Sequence, residues 1–197
     1  VRADNFYMTC GAAASLTISL KALVEGPDDE IILIAPFFPE YTVFVHNTNA
    51  KAVVLPPDTE HFQISLDALE KAITPHTRAI IINSPNNPSG VVYSADTYEK
   101  LAALLTRKSQ EIGHPIYIIS DEPYREIIYD GLPILYVPKF YKDTIICYSY
   151  SKSLSLPGER IGYVLVPDCA ADAQEVYTAV CGAGRSSSSN AWARLAT

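Results

Sequence analysis

Runs of apolar residues with no polar side recur along this chain: EIILIA, AVVLP, RAIIIN, IYIIS, TIICY and RIGYVLVP, each set between longer stretches of helical character. A strand of that kind is apolar on both faces and has to be covered above and below, whereas a sheet with one wet face would alternate apolar and polar residues. The cover is at hand between the strands. GAAASLTISLKALVEGP reads as a helix stopped by Gly26-Pro27, SLDALEKAI as a short helix with Ser65 as N-cap, and a third helix runs from about Ser94 to Ile112. The alternation predicts an α/β three-layer sandwich with a mostly parallel central sheet. Residues 1–197 read as one domain, and GAGRSSSSN near the end reads as a flexible joint.

Composition narrows the class of function. The net charge is −7 and no Lys/Arg run occurs, which argues against a nucleic-acid surface, because phosphate backbones need a basic face. No apolar run approaches the ~20 residues needed to span a bilayer, and no basic stretch followed by a hydrophobic one opens the sequence; a cytoplasmic location is expected. Cys10, Cys147, Cys169 and Cys181 share no CxxC spacing and have no histidine at ligand distance, so they read as reduced core thiols and not as metal ligands. His46, His61, His76 and His114 are scattered and read as surface or packing residues.

In open sheets of this type, ligands bind beyond the carboxyl ends of the strands. The residues that follow each strand are therefore the ones to inspect. PFFPEY follows EIILIA, SPNNPSG follows RAIIIN, DEPY follows IYIIS, and SYSK follows TIICY. Phe38, Asn87, Asp121, Tyr124 and Lys152 could then face one crevice, together with the glycine-started helix at CGAAAS. The stretch SYSKSLSLPGERIGY also puts Lys152 and Arg160 eight positions apart between two apolar strands, too sparse for a solvated basic patch.

With CGAAASL, PFFPEY, NSPNNPSG, SDEPY and SYSKSLSLPGERIG in this order, the sequence resembles the large, cofactor-binding domain of the class I/II pyridoxal-phosphate (PLP) aminotransferases of the aspartate aminotransferase fold. The likeness spans nearly the whole chain, and the last motif is the most specific. It implies pyridoxal 5'-phosphate as cofactor, with amino acids and 2-oxo acids as substrates. By that resemblance Lys152 would bind the cofactor aldehyde as a Schiff base and later shuttle the substrate proton. Asp121 would pair with the pyridine nitrogen, while Tyr124 and Asn87 would hydrogen-bond the phenolic oxygen. Phe38 would stack on the ring, and the backbone N–H groups of Ala12 and Ala13, with Ser149 and Arg160, would cradle the phosphate. These roles suit the chemistry, since the cofactor needs an amine, a carboxylate, a flat neighbour and anion donors. Arg185 aligns loosely with a substrate-binding arginine contributed by the partner subunit in some relatives.

The same resemblance implies a protein about twice as long, working as a homodimer. Residues 1–197 would then be the large domain without the family's N-terminal segment and C-terminal small domain. Other PLP enzymes reuse this fold, among them C–S lyases, decarboxylases and synthases, and some transcription regulators carry it as an effector-binding domain. An amino-acid aminotransferase is the leading expectation.

Overall fold

A computed structural model describes residues 1–187 of the chain. Seven strands form one mixed sheet: β1 (Phe6–Thr9), β2 (Glu30–Ile34), β3 (Lys51–Leu55), β4 (Thr77–Asn83), β5 (Tyr117–Asp121), β6 (Thr144–Ser149) and β7 (Gly162–Leu165), in the spatial order β1-β7-β6-β5-β4-β2-β3. From β3 to β6 every pairing is parallel, while β7 runs antiparallel to both β6 and β1. The helices are α1 (Ala12–Leu23), α2 (Glu40–His46), α3 (Leu66–Ala72), α4 (Ala95–Ile112), α5 (Tyr150–Ser153) and α6 (Ala173–Ser186).

The two-sided burial follows from the pleat, which sends successive side chains to opposite faces. Ile31 and Leu33 of β2, with Ile81 of β4 and Ile119 of β5, pack in the cluster that contains Leu16 and Leu20 of α1, Tyr41 of α2 and Val180 of α6. Their immediate neighbours Ile32, Ile80, Ile82 and Ile118 belong to the opposite cluster, beneath Leu69 of α3 and Leu101 and Leu105 of α4. Each such side chain contributes about 1.5–3 kcal/mol by leaving water, so neither face can be left open. α4 is fixed at both ends. Ser94 Oγ accepts the N–H of Thr97 at 3.0 Å, and Gly113 closes the helix at φ 84°.

The parallel strands all point their carboxyl ends to one edge, at Ile34, Leu55, Asn83, Asp121 and Ser149. From β2 the chain runs outward to β3 and then returns past β2 to β4, after which it continues inward to β5 and β6. The connections after β2 and β4 therefore leave in opposite directions, and a crevice opens between them.

Three expectations need correction. Gly182–Ser186 form the last turns of α6, so the first half of GAGRSSSSN is helix; its end, from residue 188, lies outside the described residues. Glycine is required there by contact, since a Cβ on Gly184 would run into the Tyr7 ring and hydroxyl. Of the cysteines, Cys147 alone is buried and Cys169 is exposed, so the four do not form a set of core thiols. Ser65 does precede α3, but its side chain makes no cap hydrogen bond.

Candidate functional site

Beyond the carboxyl edge of the sheet lies a cavity of about 330 Å³. Its wall includes Ala12, Ala13, Phe38, Asn87, Asp121, Tyr124, Ser149, Lys152 and Arg160, brought together from the loops and helix starts that follow five different strands. Arg185 is not among them. It sits in the last turn of α6 with Nε donating to the Cys181 carbonyl at 3.4 Å.

Asp121 is the deepest charged group of the wall. It ends β5, is 5% exposed, and accepts the Tyr41 hydroxyl at 2.5 Å on Oδ2; its Oδ1 is buried and has no partner among the described residues. Burial lifts its carboxyl from 3.8 to about 7, the Tyr41 hydrogen bond acts against the rise, and the nearby Glu122 charge adds to it. Tyr41 in turn is held well above the ordinary phenol range by burial and by the Asp121 charge. A buried carboxylate with one satisfied and one unsatisfied oxygen has room for a further hydrogen-bond donor.

Asn83, the last residue of β4, ties the neighbouring loop to that carboxylate's strand. Its Nδ2 donates to the Asp121 carbonyl at 2.8 Å and its Oδ1 accepts the Asn87 N–H at 2.7 Å. The peptide bonds Ser84-Pro85 and Asn87-Pro88 flanking this turn are both cis. The Asn87 amide lies near the Tyr124 hydroxyl and counters the upward push of burial and of Asp121 on that phenol. Lys152 is exposed, with Nζ 5.7 Å from the centroid of the Tyr124 ring. Phe38 is half-buried and meets Tyr41 edge-on at 5.8 Å.

The opposite end of the cavity is built for an anion. Gly11 caps α1 at φ 90°, leaving the first-turn N–H groups of Ala12 and Ala13 without helical partners. Arg160, itself at φ 53°, lies against this turn: Nη2 donates to the Cys10 carbonyl and Nη1 to the Pro157 carbonyl, each at 3.2 Å. Those two acceptors are neutral, so the guanidinium charge is left for a ligand. Ser149 Oγ accepts the Ser151 N–H at 3.2 Å and shares a 2.7 Å hydrogen bond with Ser151 Oγ, which points the pair of hydroxyls to the same end.

Two residues of the site, Tyr41 and Asn83, are not singled out by the sequence. Asn83 was reachable, because it is itself a strand-end residue. Tyr41 lies one helical turn beyond Phe38 but bonds a carboxylate 80 positions away, a pairing that no local pattern reveals.

The model of the family described as aminotransferase class I and II matches residues 2–196. Among curated proteins the chain is similar to an aspartate aminotransferase of Rhizobium meliloti, 34% identical over 166 residues, covering 81% of this chain and 39% of that one. It is also similar to a probable N-acetyl-LL-diaminopimelate aminotransferase of Bacillus subtilis, at 30% over 165 residues, covering 83% and 40%. Among solved structures it superimposes on an amino transferase from Eubacterium rectale with a TM-score of 0.93 at 64% identity, covering 94% of this chain and 47% of that one. An aspartate aminotransferase from Thermus thermophilus with maleate gives 0.83 at 27% identity, covering 96% and 47%. The chain thus spans less than half the length of these relatives.

Proposed function

Because the chain belongs to the class I and II aminotransferases, we propose that its cavity holds pyridoxal 5'-phosphate and that the whole protein moves an amino group between an amino acid and a 2-oxo acid. The observation that carries the reading is Asp121: it lines the cavity with one buried carboxylate oxygen that has no partner among the described residues, and the same wall offers a helix start and an uncompensated arginine. A protonated pyridine nitrogen supplies the donor that Oδ1 lacks, and a phosphate suits the cradle of Ala12, Ala13, Ser149 and Arg160. The residues present therefore fit the group, and residues 1–197 are, on this reading, the cofactor-binding large domain.

When bound, the cofactor would supply an aldehyde that takes an amine and a ring that accepts electron density from the substrate α-carbon. The chain's own groups would do the rest. Asp121, ionised, would keep the ring nitrogen protonated. Asn87 and Tyr124 would hydrogen-bond the phenolic oxygen, and Phe38 would cover the ring face. Lys152 Nζ would bind the aldehyde and, once displaced by the substrate amine, take the proton from the α-carbon and return it. The whole protein would work in the cytoplasm as a homodimer, with Arg185 a candidate for binding substrate across the subunit boundary.

The test is chemical. Protein incubated with the cofactor should absorb in the visible range, and borohydride should fix the cofactor to the peptide that carries Lys152. Attachment at Lys139 or Lys142 instead would overturn the assignment.

A further inference from the structure

Lys152 stands on α5, a helix of four residues, which is a single turn and has almost no stability of its own. Something outside the turn must hold it. At its start Ser149 Oγ accepts the Ser151 N–H. At its end Ser153 Oγ lies 2.7 Å from the Tyr148 hydroxyl. That hydroxyl gives its one proton to Glu126 Oε2 at 2.9 Å, so Ser153 is the donor to it.

Glu126 is held in turn. Arg125 reaches its Oε1 with Nη2 at 3.1 Å and Nε at 3.2 Å, and lies 4.6 Å over the Tyr148 ring. The same guanidinium donates through Nη1 to Glu122 Oε2 at 3.2 Å. Glu122 is 2% exposed, accepts the Ser120 hydroxyl at 2.8 Å on its other oxygen, and directly follows Asp121. None of Glu122, Arg125, Glu126 and Tyr148 lines the cavity. They form a chain of contacts behind it, from the strand that carries Asp121 to the turn that carries Lys152.

We propose that this chain, ending in the hydrogen bonds Glu126–Tyr148–Ser153, positions Lys152, making Tyr148 and Ser153 positioning residues for the amine. The inference rests on the function proposed above. A lysine on a lone turn can swing, and a reacting group displaced by about 1 Å can lose up to a hundredfold in rate. Tyr148 is suited to prevent that, because its ring is fixed between the Tyr163 ring at 5.0 Å and the Arg125 guanidinium. Tyr163 provides a control. Its ring packs edge-on against Tyr150 of α5 at 6.2 Å, a contact that phenylalanine keeps, while its hydroxyl contacts Arg125 Nη2 at 3.4 Å and makes no hydrogen bond to α5 among the described residues.

The experiment loads the 197-residue chain and its variants with pyridoxal phosphate. It follows the rate of borohydride-trappable attachment to Lys152, the pH titration of the visible band and its circular dichroism. Tyr148→Phe and Ser153→Ala should slow attachment about tenfold, shift the titration midpoint and weaken the visible circular dichroism. Ser153→Thr, which keeps the hydroxyl, should restore all three, and Tyr163→Phe should leave them unchanged whatever it does to the melting temperature. If Tyr148→Phe does not fold, the Ser153 pair decides. Attachment and titration as in the unmodified chain for both Tyr148→Phe and Ser153→Ala would overturn the proposal. If the unmodified chain does not attach cofactor at Lys152, the proposed function falls first and this inference with it, so the two failures are told apart.

Discussion

On the proposed reading Asp121 has to carry a negative charge in a place that favours its neutral form. Burial holds its carboxyl near 7 against 3.8, so between those values the folded chain keeps a proton that the unfolded chain has released. Stability of the cofactor-free chain should therefore fall as pH rises through this window, by about 1.4 kcal/mol for each unit of the shift. Asp121→Asn cannot titrate and should flatten that part of the curve, as read by urea denaturation from pH 4 to pH 7; an unchanged slope would mean that other groups carry it. At the other pole, Arg160→Ala should weaken pyridoxal phosphate binding by the ~1.5–3 kcal/mol of a charge-assisted hydrogen bond and leave phosphate-free pyridoxal nearly unaffected. Equal losses for both ligands, measured by titration calorimetry, would make Arg160 a folding residue. These two residues were legible in the sequence because a strand end and a motif spacing mark them. The support of Asp121 was not: its hydrogen bond from Tyr41 exists only after segments 80 positions apart have packed.

Among the elements, the turn before α1 shows how backbone shape and ligand chemistry constrain one residue together. Gly11 adopts φ 90°, and an added Cβ would lie 2.9 Å from Arg160 Nη2. Gly11→Ala should cost about 1–3 kcal/mol in backbone strain and also displace the guanidinium, so that denaturation midpoint and cofactor affinity fall together. A drop in stability with affinity intact would show that Arg160 can move aside without leaving the cradle. Most elements were readable from pattern alone: β2, β4, β5 and β6 as two-sided apolar runs, and α4 as a helix from about Ser94 to Ile112. β1 and α6 were not. FYMT is too short and mixed to signal a strand, and the last turns of α6 carry Gly182 and Gly184, of which Gly184 is required by the close approach of Tyr7 and not by helix propensity. The reversed direction of β7 was equally hidden, because a strand buried on both faces has the same pattern whichever way it runs.

At the scale of the whole molecule, the distribution of cations limits what these 197 residues can do. The chain is acidic overall, and among the described residues only two cationic side chains, Lys152 and Arg160, line the cavity. On the proposed reading the first is committed to the cofactor aldehyde and the second to its phosphate, which leaves no cation for the α-carboxylate of an amino acid. The cavity also lies at the open edge of the sheet, so no described element covers it against water. Binding and turnover should therefore separate in this chain. Pyridoxal phosphate should bind, because its contacts are local to the wall, whereas proton transfer from the substrate needs the α-carbon held in line and solvent kept out. Orientation alone can be worth about 7–11 kcal/mol of a barrier, so even its partial loss should cost orders of magnitude in rate. The measurement is a single half-reaction: a concentrated amino acid is added to the cofactor-loaded chain, and conversion of the cofactor from its aldehyde to its amine form is followed by absorbance. Slow conversion that rises linearly with amino acid and does not saturate is the expected result. Rapid, saturable conversion would mean that a carboxylate-binding group lies within these residues after all, and Arg185, outside the cavity on α6, would be the first to replace.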